Sequence, residues 1–322
     1  MEDRTQPQIA FIIKDQRFEG FYLVKAAQQR TSASGSRFLD MTLGDISGEV
    51  NAKMWDGTVE PPKAGDVVKV RALMQEYNGR AQMRIDKMRL AEEKDAVDMQ
   101  MLIPCAPQKG EDMLEEVRNV VSAFADAHLA AIVSARLDEC GEALLLVPAA
   151  LRLHHAERSG LLHHMTTMLR AAGALCEVYP SLDRDLLFAG IILHDLCKIE
   201  ELKTDEIGLA TEYTLEGQLV GHIAMGIARL HEAGRRLETP KELLILLEHM
   251  ILSHHDLPEY GSPKPPMFLE AEVLHTLDRL DARLYEMNRA LSSISPGGFT
   301  ERIWSLERRL YKRESKQESQ GE

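Results

Sequence analysis

The chain of 322 residues is 44% hydrophobic and 28% charged, which excludes a disordered or collagen-like protein and leaves room for about two globular domains. No apolar run reaches the roughly 20 residues that a membrane-spanning helix needs, and the acidic N-terminal residues are atypical of a signal peptide. The four cysteines show no CxxC spacing, which argues against a disulfide framework or a cysteine zinc site and fits a reducing cytoplasm. The sequence therefore predicts a cytoplasmic protein with no membrane partner.

Charge and histidine are distributed unevenly along the chain. The formal net charge is −13, but residues 1–90 carry +2 and the remainder carries −15. All 12 histidines lie between His128 and His275. Because acidic side chains repel phosphates, this balance disfavours nonspecific binding of duplex DNA, whereas an acidic, histidine-rich region is suited to cations. Residues 1–90 and the remainder of the chain are therefore expected to have different functions.

Residues 1–90 predict an all-β domain. From residue 8 to 90, five or six strand-like runs are separated by turn signals. The Asn78-Gly79 pair between two of these runs is typical of a tight hairpin. Five or six strands in so short a segment predict a small barrel or sandwich.

The character of the chain then changes. Residues 91–110 predict a linker, since this acidic stretch is broken by Pro104 and Pro107. Over residues 111–312 the apolar residues recur at helical spacing, which predicts an α-helical domain. The polar residues 313–322 predict a frayed tail.

The helical region carries metal-ligand residue types along its predicted helices. The apolar run DLLFAGIILHD ends on His194 and Asp195, where two buried polar side chains are costly unless they pair or bind a metal. Imidazole and carboxylate suit Zn, Mn, Fe, Ni or Co, and an aspartate can bridge two ions through its two oxygens. Two such ions can clamp the attacking and leaving oxygens of a phosphodiester. The candidate ligands, in chain order, are His164, His194, Asp195, His222, His254, His255 and Asp278.

This order resembles the HD-domain metal-dependent phosphohydrolases, and longer stretches are similar to the YhaM-type 3′-to-5′ exoribonucleases of bacteria. The similar stretches extend from about residue 8 to 312 and include HHAERSGLLHHMTTM, FAGIILHDLCKIEEL, YTLEGQLVGHIAMGI and HMILSHHDLPEYGSPKPP. The resemblance implies a multidomain protein with an N-terminal all-β OB-fold barrel followed by an all-α HD domain, whose metal core spans 151–290. It also implies a homo-oligomer and two divalent metal ions.

The resemblance assigns the candidate ligands to two ions. The expected primary ligands are His164, His194, Asp195 and Asp278. The expected ligands of a second ion are His222 and His254, with His255 replacing or supplementing His254.

The resemblance also suggests residues that act on the substrate or orient ligands. Asp195 and Lys198 are the expected catalytic residues, with Lys198 contacting a substrate phosphate. His163 stands where the family has a glutamate, and helix register favours His164 over His163 as the ligand. Asp281 lies one helical turn beyond the last ligand and is expected to orient ligands through hydrogen bonds.

An OB-fold binds single strands through aromatic stacking and cations that follow the backbone. The candidate stacking rings are Phe38, Trp55 and Tyr77. The candidate phosphate contacts are Lys53, Arg71, Arg80, Arg84 and Lys87. The chain is therefore expected to capture single-stranded RNA or DNA on the barrel and to hydrolyse it from the 3′ end at the metal site.

Two other functions fit the same residues. HD proteins also hydrolyse small or cyclic nucleotides, in which case the barrel is regulatory or an oligomer contact. A non-catalytic protein that only binds single-stranded RNA is the second alternative. Metal content and turnover of RNA distinguish these alternatives.

Overall fold

The computed structural model describes residues 6–32, 35–56, 58–77, 79–151, 155–205 and 207–314, except for the side chain of Tyr260. Asn78 of the expected hairpin and residues 315–322 of the expected tail lie outside the described residues. Contacts divide the chain into two compact units. One unit comprises Met1–Cys105 with Asp205–Ile207, and the other comprises Ala106–Thr204 with Gly208–Glu322. Within the described residues, no helix is both long and apolar enough to cross a membrane.

The first unit contains a closed five-stranded barrel. Its strands are β1 (Arg17–Thr31), β2 (Arg37–Asp45), β3 (Gly48–Met54), β4 (Val67–Tyr77) and β5 (Arg80–Leu90). They are hydrogen-bonded in the order β1-β2-β3-β5-β4, and β1 also pairs with β4. The β3–β5 pair is parallel and the other pairs are antiparallel. This arrangement confirms the predicted OB-fold barrel.

Alternation of side chains explains why these strands close around a core. In β4, Val68, Val70 and Ala72 are buried while Arg71 is exposed. Inward side chains of the other strands complete a continuous apolar interior. Closure of the sheet onto itself removes the apolar face of every strand from water, and it also leaves no unpaired edge.

The predicted linker is largely part of the first unit. Residues 93–95 and 99–101 form 3₁₀ turns, and the amide of Ile46 donates to the carbonyl of Met101 at 3.0 Å. Leu102 and Ile103, which follow, are buried. The apolar run at 101–103 therefore packs instead of remaining solvated, and the boundary between the units falls after Cys105.

The second unit is helical. Its helices are α1 (Gly110–Ser122), α2 (Ala127–Cys140), α3 (Gly160–Val178), α4 (Arg184–Leu193), α5 (Lys198–Glu201), α6 (Leu215–Leu219), α7 (Gly221–Arg236), α8 (Lys241–Ser253) and α9 (Leu269–Ser292). A two-stranded hairpin of β6 (Leu202–Thr204) and β7 (Ala210–Tyr213) interrupts them. From the end of α9 to residue 314 the described chain is non-helical, and an isolated antiparallel bridge joins Phe299 to Tyr311. Within residues 111–312, the predicted helical domain therefore also contains a short hairpin, and α9 ends at Ser292.

Helix α4 is the central helix of this unit. Every residue from Leu186 to Leu193 is buried, and the helix packs against α2, α3, α8 and α9. Gly190 permits the approach of α8, since a Cβ there would lie 2.1 Å from the terminal methyl of Met250. Because α4 is apolar on all sides, the polar residues that follow it emerge inside the domain instead of at its surface.

Candidate metal centre

Five elements bring the predicted ligands together. His164 lies in α3, His194 and Asp195 follow α4, and His222 is the second residue of α7. His254 follows α8, and Asp278 lies in α9. His164, His194, Asp195 and His254 are at most 2% exposed. A buried cluster of this composition requires a partner for its charge and lone pairs.

Asp195 lies at the middle of the cluster, and its two oxygens face different histidines. Oδ2 lies 3.3 Å from Nε2 of His194 and 3.9 Å from Nε2 of His164. Oδ1 lies 3.3 Å from Nε2 of His222 and 3.7 Å from Nε2 of His254. The carboxylate thus divides the cluster into two sides.

The Asp195 Oδ2 side contains a second carboxylate. Oδ1 of Asp278 lies 3.3 Å from Nε2 of His164. The Oδ1 side contains a third imidazole, since ligand atoms of His222, His254 and His255 lie within 4.8 Å of one another.

A hydrogen bond at Nδ1 fixes the ring of each histidine whose Nε2 faces Asp195, namely His164, His194, His222 and His254. Nδ1 of His194 and Nδ1 of His254 contact the carbonyls of Ile191 and Ile251 at 2.8 and 2.7 Å. A carbonyl only accepts, so these Nδ1 atoms carry the proton and Nε2 presents a lone pair. Histidines that bind a metal through one ring nitrogen generally donate a hydrogen bond from the other ring nitrogen in this way.

Carboxylates orient the other two histidines. Nδ1 of His164 contacts Oδ2 of Asp281 at 2.7 Å, so the structure brings Asp281 against a predicted ligand as its spacing implies. Nδ1 of His222 contacts Oε1 of Glu201 at 3.0 Å, and the same oxygen accepts from the His222 amide. Sequence reasoning missed Glu201, because its distance from His222 along the chain carries no signal.

The unused atoms of the cluster fit a metal. Nε2 of His194, His222 and His254 and Oδ1 of Asp195 are buried without a hydrogen-bond partner in the part of the chain that the structure describes. All are lone-pair atoms, and all face the interior of one cluster. Imidazole nitrogen and carboxylate oxygen are the donor set of Zn, Mn, Fe, Co and Ni. The residues present therefore fit divalent metal ions.

The two buried carboxylates of the cluster are held ionised. Burial raises the pKa of Asp195, but the nearby Lys198 ammonium and His194 lower it well below the usual range. Burial likewise raises the pKa of Asp278, and the hydrogen bond with His164 outweighs this and holds the pKa below its usual range. Ionised carboxylates are the form that binds a cation.

Two of the imidazoles differ in protonation. Burial lowers the pKa of His164, but the neighbouring Asp278 and Asp281 carboxylates raise it to about 9. Burial lowers the pKa of His254 well below its usual value. A metal can therefore bind His254 directly, whereas at His164 it must displace a proton.

Lys198 lies inside the cluster. Its Nζ is 2.5 Å from Oδ2 of Asp195, and the residue is 7% exposed. Burial lowers the pKa of this ammonium, but Asp195 and Asp278 raise it overall, so the group stays charged. Lys198, the predicted phosphate contact, is therefore already paired with the carboxylate of Asp195.

On the barrel, the predicted binding residues lie on β2, β3, β4 and β5, except for Trp55, which directly follows β3. Trp55 and Tyr77 are 55% and 58% exposed, and Nζ of Lys53 lies 5.5 Å from the Tyr77 ring centroid. Lys53 on β3 is in register with Arg84 on β5. The structure does not support Phe38 as a stacking ring. Its side chain is only 7% exposed, and its ring centroid lies 4.8 Å from that of Trp55, so Phe38 supports the Trp55 ring instead of offering a stacking face of its own.

Two of the predicted phosphate contacts already have acidic neighbours. Nε of Arg71 is 2.5 Å from Glu19, and Nε of Arg84 is 3.7 Å from Asp86. Arg80 is exposed at the start of β5, where it is in register with Tyr77.

Comparison with known proteins decides the family. Residues 161–283 match the HD domain family. The 3′-5′ exoribonuclease YhaM of Geobacillus sp. (strain WCH70) is 40% identical over 294 residues, which cover 90% of this chain and 90% of that protein. The chain belongs to the YhaM family. The predicted family, the predicted hydrolase class and the barrel followed by a helical HD domain are thereby confirmed. The predicted homo-oligomer and cytoplasmic location stay predictions.

Solved structures that align with the barrel are more distant. The second OB-fold domain of replication protein A from Methanococcus maripaludis is 17% identical, with 27% of this chain and 96% of that chain covered and a TM-score of 0.24. The OB domain of Ta0387 from Thermoplasma acidophilum is 12% identical, with 27% and 85% covered and a TM-score of 0.23.

Proposed function

We propose that this member of the YhaM family is a metal-dependent 3′-to-5′ exoribonuclease. The barrel binds single-stranded RNA, and the helical unit hydrolyses the terminal phosphodiester. The observation that carries the proposal is the set of inward-facing imidazole lone pairs around the two oxygens of Asp195. The name of the Geobacillus relative supports RNA as the substrate and the 3′ end as the starting point.

The cluster supports two ions that share Asp195. On the Oδ2 side, the ligands would be His164, His194 and Asp278. On the Oδ1 side, the ligands would be His222, His254 and His255. A bound divalent ion supplies Lewis acidity, which lowers the pKa of water and offsets the charge of the scissile phosphate.

The residues of the chain supply position and charge. Asp195 is fixed by the buried end of α4, so its two oxygens stay directed to opposite sides of the cluster. Lys198 keeps a positive charge within 2.5 Å of that carboxylate, next to where a phosphate must approach. The hydrogen bonds at Nδ1 hold the imidazoles so that no reorganisation accompanies the reaction.

The barrel supports single-strand binding through two exposed rings with cations beside them. Trp55 and Tyr77 can each stack on a base, and Lys53, Arg80 and Arg84 can contact the backbone. Base stacking and phosphate contacts do not depend on sequence, which suits an enzyme that degrades a strand one nucleotide at a time.

A labelled-strand assay tests the proposal. Single-stranded RNA carrying a 5′ label is incubated with the full-length protein in Mn²⁺ or in EDTA and resolved on a sequencing gel. We expect a ladder shortened from the 3′ end in Mn²⁺ only, and no ladder with Asp195→Ala. The matched control is Asp138→Ala, which removes a carboxylate paired with Arg118 and exposed at its surface, and should retain the ladder. Intact RNA with a protein that holds its metal would contradict the proposal.

A further inference from the structure

A second group of ligand atoms lies behind His164, on the side away from the centre described above. Nδ1 of His155 is 3.1 Å from Nδ1 of His163. Oε1 of Glu157 is 2.8 Å from Nδ1 of His163 and 3.6 Å from Nδ1 of His155. His155 and Glu157 are 2% and 6% exposed, so this triangle is largely removed from solvent.

The size of the triangle fits a transition metal. Zinc binds imidazole nitrogen and carboxylate oxygen at about 2.0–2.2 Å, so ligand atoms in a tetrahedral site are about 3.3 Å apart. The three edges of 2.8, 3.1 and 3.6 Å scatter around that spacing. Three donor atoms of the right types therefore lie within about 0.5 Å of the separations of a tetrahedral site.

Hydrogen bonds direct lone pairs into the triangle. Nε2 of His155 contacts Oδ2 of Asp281 at 2.7 Å, which places the proton of a neutral His155 on Nε2 and a lone pair on Nδ1. The hydroxyl of Tyr285 donates to Oε2 of Glu157 at 2.7 Å, which leaves Oε1 facing the two nitrogens. Both partners lie on α9, one helical turn apart. Ligands of zinc sites are commonly held by outer groups in this way.

A cation at the centre of the triangle can contact Oε1 of Glu157 and Nδ1 of both histidines together. Two imidazole nitrogens and one carboxylate oxygen form a donor set that suits zinc.

The backbone fixes this group tightly. A Cβ on Gly160 would lie 2.0 Å from the carbonyl oxygen of His155, so only glycine allows α3 to begin so close to that residue. The His155 carbonyl accepts from the amide of Ala149 at 3.1 Å, and the His155 ring stacks 4.1 Å from Tyr285. The donor atoms are thus preorganised rather than carried on a loose loop.

We propose that His155, Glu157 and His163 hold a further divalent transition-metal ion, with zinc as the best fit. His163 is partly exposed, so solvent completes the coordination. The ion ties the residues before α3 to α9 through Asp281 and Tyr285. Because Oδ2 of Asp281 also accepts from His164, the ion positions that carboxylate for the main cluster.

Metal counting on the full chain tests the proposal. The protein is loaded with Zn²⁺, desalted and measured by elemental mass spectrometry. We expect Glu157→Gln and His163→Gln each to hold one equivalent of zinc less than the wild type. We expect His194→Gln to keep the zinc bound among His155, Glu157 and His163. The control is His231→Gln, which disrupts an exposed contact of 2.8 Å with Glu248 and should lose none. Unchanged zinc content in both Glu157→Gln and His163→Gln would overturn the proposal.

A measurement on the wild type covers the case in which the variants fail to fold. Crystals of the Zn²⁺-loaded chain should give an anomalous difference peak among His155, Glu157 and His163. No peak there, with peaks at the main cluster, would also overturn the proposal. Neither readout depends on RNA hydrolysis, so failure of the proposed function and failure of this site are distinguishable.

Discussion

Replacing Lys198 by methionine should destabilise the metal-free protein far more than the metal-loaded protein. The ammonium lies 2.5 Å from Oδ2 of Asp195, and both residues are at least nine-tenths buried. Removing one partner of a buried ion pair costs about 3–5 kcal/mol, because the other charge remains without compensation. At roughly 2–4 °C per kcal/mol for a domain of this size, the unfolding midpoint should fall by about 6–20 °C.

A bound divalent ion changes this result. It supplies positive charge to the same carboxylates, so the destabilisation by Lys198→Met should fall to less than half in saturating Mn²⁺ or Zn²⁺. The assay is thermal unfolding followed by far-ultraviolet circular dichroism, in EDTA and in metal. Lys203→Met is the control, since its 2.8 Å pair with Glu212 is exposed and should contribute at most about 1 kcal/mol. An equal loss in EDTA and in metal would refute the reasoning, because it would mean that no cation replaces the lysine charge.

Other properties of the sites should respond as follows. Asp281→Asn should weaken metal binding by about 10–100-fold, since the amide is a poorer acceptor for His164; competition with a chelator measures this, and unchanged affinity would contradict the orienting role. Because the pKa of His164 is raised from 6.5 to about 9, its proton stabilises the metal-free fold below pH 6.5 and that contribution is lost as pH rises through 9. Metal must displace this proton, so affinity should rise about tenfold per pH unit between pH 6.5 and 9, and a flat profile would exclude His164 as a ligand. Trp55→Ala should weaken single-stranded RNA binding by about 1–3 kcal/mol in fluorescence anisotropy, while the buried Leu39→Met control keeps its affinity.

The sequence predicts the central features well because their signals are local. His194 and Asp195 end a run that is apolar on every side, and such a run is buried wherever the helix packs. The alternation in β4 and its neighbours predicts strands with one inward face, which fits a barrel or a sandwich, and the family resemblance favours the barrel. Candidate ligands could therefore be found before their distances were known.

The parts that could not be predicted depend on tertiary contacts. The carbonyls of Ile191 and Ile251 orient two histidines, and a backbone carbonyl leaves no trace in the sequence. Glu201 reaches His222 only because α5 and α7 pack together. Phe38 is covered by Trp55 on the face of β2 away from the core residues Leu39 and Met41, and an aromatic count does not reveal such a contact. The contacts of His163 with His155 and Glu157 likewise depend on the fold, because no spacing in the sequence indicates them.

The main cluster draws its side chains from helices that are far apart along the chain. His164 lies on α3, whereas Asp278 and Asp281 lie on α9. During synthesis, a chain folds from its N-terminus as it leaves the ribosome. The barrel is therefore complete while α9 is still inside the exit tunnel, and the cluster cannot close until α9 emerges. The metal centre therefore forms late in synthesis, whereas the five strands of the barrel need none of the residues of α9.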